Sequence, residues 1–157
     1  MAESTSALLP PGLLLHLACD LEQVRDAIEA ARRFLTEQGC AAADVLDCEL
    51  ALAEACNNAI KYAPPNARAQ PVVVEVSCSA THIELRITDR TAGFDWPEQV
   101  ALPDPDSESG RGFYLIHSVM DSAQYHRGPG KNTLVLRRKR SAEVSVLPAS
   151  STHSGEG

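Results

Sequence analysis

The sequence predicts an α+β fold in which helices stack on one face of a mainly antiparallel sheet. The chain has 157 residues, enough for one domain with a hydrophobic core and too few for two comfortable ones. Its periodic segments follow the order β-α-α-β-β-loop-α-β-β, whereas a parallel sheet would need strands and helices in regular alternation. Two neighbouring segments, 72–79 and 82–88, alternate between apolar and polar residues across a short turn, as antiparallel strands do.

Signals for helix ends define the elements in the first half of the chain. A strand is predicted over 13–18, and Asp20 then begins a helix with the spacing to Gln23 of a capping box. Gly39 lies where a C-cap glycine would end that helix. A second helix is predicted over about 42–63, because two consecutive prolines follow it and cannot continue it.

The second half of the chain begins with a loop rich in Gly, Pro, Asp and Ser. A third helix follows the loop, and two final strands follow the helix across a glycine-containing turn. The predicted bounds are 91–109 for the loop, 110 to about 122 for the helix, and 123–126 and 132–138 for the strands. We expect the folded domain to cover 12–140, between a flexible arm (1–11) and a disordered tail (141–157).

The composition is that of an ordinary globular protein and excludes several classes. Hydrophobic residues make up 44% and charged residues 22% of the chain, and the net charge of −7 argues against a nucleic-acid-binding surface. The five cysteines are odd in number and contain no C-x-x-C pair, which favours packing in a reducing compartment over disulfides. No apolar run is long enough for a membrane span and no signal peptide is recognised, so we predict a cytoplasmic protein.

The second helix carries a polar row that could support phosphate chemistry. Glu54 and Asn58 are separated by one helical turn and therefore lie nearly above one another, and Lys61 and Tyr62 extend the row. A carboxylate beside a carboxamide, with a cation one turn later, could serve magnesium and phosphate. The alternative is a solvated helix face, which is common. The same helix also has an apolar stripe suited to packing, formed by Cys48, Leu52, Ala55 and Ala59.

Asp89 is a second candidate, because strand periodicity directs its carboxylate toward the core. It follows Ile83, Leu85 and Ile87 on one face of the predicted strand. A carboxylate in that position needs hydrogen-bond donors. The amino group of an adenine could supply one, and a backbone N–H or a buried water molecule is the alternative.

Glycines after this strand and at the start of the third helix are the third group of candidates. Gly93, four residues after Asp89, would let the backbone approach a flat ligand, although a simple loop glycine is equally common. Gly110 and Gly112 lie at a helix start, where free amides and the helix dipole favour phosphate. An ordinary loop-to-helix junction is the alternative for this pair.

In combination these motifs resemble the GHKL (Bergerat-fold) ATPases. The segment EACNNAIKYA matches the N box, DRTAGFD the first glycine box, SGRGFYLIHSVMD the second, and KNTLVL the closing strand. Within that superfamily the chain looks most like the anti-sigma-factor serine/threonine kinases of the RsbW and SpoIIAB type, from about Leu13 to Arg138. The resemblance implies a two-layer α/β sandwich with a mixed, mainly antiparallel sheet and helices on one face.

The resemblance also implies a role for each matched residue. Glu54 would be the general base, Asn58 the magnesium ligand and Asp89 the carboxylate that reads adenine, with ATP and Mg²⁺ as the cofactors. Six further residues would contact the nucleotide at its adenine (Gly93, Thr133) or its phosphates (Lys61, Gly110, Arg111, Gly112).

Two functional classes remain open from the sequence. The first is an ATP-dependent serine/threonine kinase that phosphorylates a STAS-domain antagonist in a bacterial partner-switching pathway, with a sigma factor as a further partner and a homodimer as the expected assembly. The second is a non-catalytic, nucleotide-dependent module that sequesters a sigma factor or another regulator. Glu54 favours the kinase, whereas Thr91 at the first glycine position of its box and Glu108 near the phosphate loop leave room for the module.

Overall fold

A computed structural model of the chain describes residues 11–61, 63, 71–90 and 111–142. Its helices and strands follow the predicted order. The described elements are β1 (Gly12–Leu17), α1 (Leu21–Glu37), α2 (Ala42–Lys61), β2 (Val72–Cys78), β3 (His82–Asp89), α3 (Arg111–Val119), β4 (Ser122–Gly128) and β5 (Lys131–Lys139). Within the described ranges, no helix is long and apolar enough to cross a membrane.

The five strands form one sheet in the order β1-β2-β3-β5-β4, and each pairing between described strands is antiparallel. The helices pack on the face to which β3 directs Ile83, Leu85 and Ile87, all of which are buried. The predicted α+β architecture, with helices on one face of the sheet, is therefore confirmed. The mixed character expected from the resemblance is not found among the described strands.

Helix α1 has defined signals at both ends. The Asp20 side chain accepts a hydrogen bond from the Glu22 amide, while Gln23 accepts one from Ala18 rather than from Asp20 as a capping box requires. At the other end Gly39 has a positive φ of 78°, and the amide of Cys40 donates to the carbonyl of Leu35. This is a Schellman motif, so the predicted C-terminal glycine signal is confirmed.

Helix α2 is the central element of the helical layer, because it packs on α1, on α3 and on the sheet. Its predicted apolar stripe is buried, with Leu52 completely inaccessible to solvent. The small side chains of Ala55 and Ala59 let α2 lie close to the sheet. This packing fixes the height and rotation of the polar row on the same helix.

The third helix ends earlier than predicted, at Val119 rather than near Ser122. The amide of Asp121 donates to the carbonyl of Arg137, and the Asp121 carboxylate accepts from the amide of Lys139. Pairing with β5 therefore replaces the last helical turn. Strands β4 and β5 join through Pro129 and Gly130, whose positive φ of 71° suits a proline–glycine turn.

A buried ion pair ties the start of α2 to the end of β5. Asp44 is fully buried and accepts hydrogen bonds from the guanidinium of Arg138 (3.0 Å) and from both the amide and the hydroxyl of Ser141 (2.7 and 2.8 Å). Arg138 also pairs with Asp47 at 2.9 Å. These contacts lie at the end of α2 opposite the polar row, about 20 Å away by helical rise.

The terminal arm (1–10) and most of the terminal tail (143–157) lie outside the described residues, so the predicted domain limits remain predictions. The whole loop predicted over 91–109 lies outside them as well.

Candidate functional site

Two residues of the polar row on α2, Glu54 and Asn58, lie near the start of α3. Glu54 and Asn58 are both partly accessible. The amide nitrogen of Asn58 is buried, and it has no hydrogen-bond partner among the described residues. A buried amide without a partner costs free energy, and a polar ligand could remove that cost.

Gly112 brings the first turn of α3 against this row. A Cβ atom at position 112 would lie 2.6 Å from Glu54 Oε2 and 3.8 Å from Asn58 Nδ2. A contact of 2.6 Å is too short for any real Cβ, so glycine is what allows this approach with Glu54 in its present position. The first amides of a helix have no partner within the helix and can bind anions. The structure thus brings together two motifs separated by more than 50 positions in the chain.

Asp89 ends β3 with its carboxylate directed into the helical layer, as strand periodicity predicts. It is 6% exposed, and Asn132 Nδ2 donates to Asp89 Oδ1 at 3.0 Å. The two residues face each other in the register of β3 and β5. One donor to Asp89 is therefore a side-chain amide, which was not among the sequence-based alternatives.

Sequence reasoning missed Asn132, although a signal for it was present. Leu134 and Leu136 are buried on the helical face of β5, and alternation along the strand places residue 132 on the same face. Asn132 itself is 1% exposed. A polar residue in phase with buried leucines was thus recognisable from the strand pattern.

Thr133 lies on the opposite face of the sheet, which differs from its predicted place in the adenine site. It pairs with Thr88, and the two hydroxyl oxygens are 3.3 Å apart. Because alternate strand residues point to opposite faces, Thr133 cannot face the helical layer together with Asn132. The position beside Asp89 belongs to Asn132.

A small cavity connects Asn58 with Asp89. Its volume is about 10 Å³, room for about one water molecule. An adenine ring would therefore need the cavity to widen. The lining residues are Ala55, Asn58, Ala59, Ile87, Asp89, Tyr125 and Leu134.

The other predicted site residues are only partly described. Lys61 is exposed at the end of α2, and Arg111 begins α3 with its side chain outside the described part of the chain. Five residues discussed in the sequence analysis lie outside the described residues: Tyr62, Thr91, Gly93, Glu108 and Gly110. In the described ranges, no group of three His, Cys, Asp or Glu side chains could hold a metal ion.

Comparison with known protein families identifies the family to which the chain belongs. The model of the histidine kinase-like ATPase domain matches residues 17–138. The chain belongs to this family. The matched range includes the polar row of α2, Asp89 and Gly112, so the predicted membership of the GHKL superfamily is confirmed.

Curated relatives of this histidine kinase-like ATPase domain are anti-sigma factors and a kinase. The anti-sigma F factor of Clostridium perfringens (strain SM101 / Type A) is 26% identical over 102 residues, covering 62% of this chain and 73% of the relative. That of Clostridium beijerinckii is 29% identical over 107 residues, covering 65% and 75%. The serine-protein kinase RsbW of Bacillus velezensis is 26% identical over 96 residues, covering 55% and 60%. These relatives confirm the predicted RsbW-like branch.

Two solved structures share the fold. The RsbU and RsbW domains of a Mycobacterium tuberculosis protein superpose with a TM-score of 0.64 at 19% identity, over 84% of this chain and 34% of that one. This chain thus spans about a third of that solved chain. The SiaB–SiaC complex of Pseudomonas aeruginosa gives a TM-score of 0.57 at 14% identity, over 81% and 89%. Both confirm the two-layer fold.

Proposed function

We propose that the protein binds Mg-ATP between α2, α3 and β3 and is an ATP-dependent serine/threonine protein kinase. Its proposed substrate is a STAS-domain antagonist in a bacterial partner-switching pathway. The observation that carries the proposal is the close approach of Gly112 to Glu54, because it joins a helix N-terminus to a carboxylate and to an amide with no partner among the described residues. Family membership supports nucleotide binding, and the names of the relatives support the kinase and anti-sigma roles.

The adenine end of the proposed site is at Asp89. Its buried carboxylate would accept a hydrogen bond from the amino group of the base, which neutral residues around it would screen from water. Gly93 is proposed to shape this end. The phosphates would lie at the start of α3, on the amides near Gly110 and Gly112, with Lys61 and Arg111 as candidate cations.

The side chains present fit a magnesium ion carried by the phosphates. Asn58 has a buried amide nitrogen with no partner in the described part of the chain, and rotation of the amide would turn its oxygen to this position. One protein oxygen suffices, since Mg²⁺ keeps most of its water and phosphate ligands. The bound ion would supply charge neutralisation at the phosphates.

Glu54 is proposed as the general base. Its carboxylate lies one turn before Asn58 and beside the first turn of α3, so it would be near the phosphate end of the nucleotide. From there it could accept the proton of a serine or threonine hydroxyl. A sigma factor and a second copy of the chain are proposed as further partners, on the resemblance to anti-sigma factors.

Labelled Mg-ATP and a STAS-domain protein from the same cell provide the test. We expect transfer of the γ-phosphate to a serine or threonine, a loss of about 100-fold or more in Glu54→Gln, and retained nucleotide binding in that variant. Asn58→Ala should weaken Mg-ATP binding itself. Binding without transfer to any candidate would favour the non-catalytic module, and an absence of nucleotide binding by the wild-type protein in calorimetry would refute both.

A further inference from the structure

Asp89 and Asn132 form a buried polar pair between β3 and β5. They are directly opposite in the antiparallel register, with exposures of 6% and 1%, and Asn132 Nδ2 lies 3.0 Å from Asp89 Oδ1. Both strands also hold their flanking residues in register, so the pair has little freedom to rearrange. Its geometry is set by the sheet, not by a loop.

The chemistry of the pair is asymmetric. An ionised carboxylate only accepts hydrogen bonds, so the amide of Asn132 must present its NH₂ group to Asp89. Hydrogen bonds to charged groups are stronger than neutral ones, and burial strengthens them further. Asn132 therefore fixes the rotation of the carboxylate and with it the direction of the remaining acceptor positions on Asp89.

Asp89 also lines the small cavity that reaches Asn58 on α2, together with Tyr125 and Leu134. A group that enters this cavity and meets a fixed acceptor must bring a donor. The 6-amino group of a purine is such a donor, whereas a 6-oxo group is an acceptor and would face the carboxylate with like partial charge.

We propose that Asn132 is a positioning residue that orients Asp89 and thereby gives the site its preference for 6-amino over 6-oxo purine nucleotides. This inference rests on the proposed function, because it concerns the same nucleotide site. It assigns to Asn132 the support of the adenine contact that the family resemblance implied for Thr133, whose hydroxyl lies on the other face beside Thr88.

Calorimetry with adenosine and inosine diphosphates, in the presence of Mg²⁺, separates orientation from a general packing role. We expect wild-type protein to prefer the adenosine form by about 100-fold or more. Asn132→Leu keeps a similar volume and removes the donor, so this ratio should fall at least about tenfold while the weak affinity for the inosine form stays within about threefold. Asn132→Thr retains a hydroxyl donor and should recover part of the ratio.

Thr133→Val is the matched control, because it removes the hydrogen bond between the hydroxyls of Thr88 and Thr133 on the sheet face away from the helices. It should leave the affinity ratio between the two nucleotides unchanged. Three results would overturn the inference without refuting nucleotide binding. The affinity ratio between the adenosine and inosine forms could stay unchanged in both Asn132 variants, or both nucleotides could lose affinity equally. Thr133→Val could also change the ratio as much as the Asn132 variants do. If Asn132→Leu does not fold, as judged by circular dichroism, Asn132→Thr decides the matter. Wild-type protein that binds neither nucleotide would refute the proposed function itself.

Discussion

The proposed site depends on the absence of a Cβ atom at Gly112. The atom that a Cβ would meet is the end of the Glu54 side chain, which can move, rather than rigid backbone. A larger residue at position 112 would therefore displace the carboxylate without disrupting the helix. This separates the position of the proposed base from the stability of the fold.

Gly112→Ala should impair phosphoryl transfer without unfolding the protein. Alanine favours a helix by about 1 kcal/mol over glycine, so the melting temperature should stay constant or rise. Displacement of Glu54 by about 1 Å should reduce the transfer rate by about 100-fold. Gly12→Ala, where a Cβ would make an ordinary 3.5 Å contact with a backbone oxygen, serves as the control and should behave as wild type. Equal rates in both variants would contradict the placement of Glu54.

Thiol chemistry gives a second prediction at the level of single residues. Burial, with the neighbouring thiol of Cys78 3.5 Å away, raises the pKa of Cys40 to about 11. Burial raises the pKa of Cys48 and Cys56 to about 12. Since only the thiolate reacts, alkylation of Cys40 in the native protein should be slow at neutral pH and rise about tenfold per pH unit up to pH 11.

Peptide mass spectrometry after timed treatment with iodoacetamide measures these rates residue by residue. Cys78→Ala removes the thiol that helps to raise the pKa of Cys40, so Cys40 in that variant should react faster at a given pH. A rate that levels off near pH 9, as for a thiol of ordinary pKa, would contradict the raised pKa of the partly buried Cys40.

One end of helix α2 anchors the helix to the sheet, and the other end carries the candidate site residues. Its first turn is held to β5 by Asp44 and Arg138, and its last turns carry Glu54 and Asn58. Burial alone would raise the pKa of Asp44, but hydrogen bonds from Ser141 and Arg138 outweigh it and hold the pKa below its usual value. The folded pKa therefore lies below the unfolded one, and the carboxylate stabilises the fold above about pH 4.

Asp44→Ala should lower the free energy of unfolding by about 3–5 kcal/mol at pH 7, because it leaves Arg138 and Ser141 without their buried partner. The difference from wild type should shrink as the pH falls through the folded pKa, since both proteins then lack the charge. Urea unfolding at several pH values measures this. Asp47→Ala removes a more exposed partner of Arg138 and should cost only about 0–1 kcal/mol. Equal costs in the two variants would be incompatible with a central role for Asp44.

At the scale of the whole molecule, local patterns predicted most of the fold, and long-range contacts account for the differences. Alternation predicted β2 and β3, and Gly39 predicted the end of α1. The end of α3 was predicted too late, because local preference alone would continue the helix through residues 120–122. The hydrogen bond from the amide of Asp121 to the carbonyl of Arg137, which comes later in the chain, ends the helix and leads into β4.

The site was predicted unevenly for the same reason. Helical spacing placed Glu54 and Asn58 together, and strand parity directed Asp89 inward. Alternation along β5 separates Asn132 from Thr133, but the position of Asn132 directly opposite Asp89 depends on the register of two strands more than 40 positions apart, which no local pattern contains. The contact of Gly112 with Glu54 likewise depends on how two helices pack.

The anchoring residues and the candidate site residues lie at different ends of α2, and this affects which substitutions the protein can accept during evolution. The buried ion pair that ties α2 to β5 lies at Asp44, about four turns from Asn58. Glu54 and Asn58 are only partly buried, so substitutions at these two positions can accumulate while the core residues beside them, such as Leu52, keep the scaffold intact. A descendant that lost the proposed base Glu54 could remain folded and keep the proposed nucleotide site, so the proposed kinase and a non-catalytic adaptor are neighbouring evolutionary outcomes of one architecture.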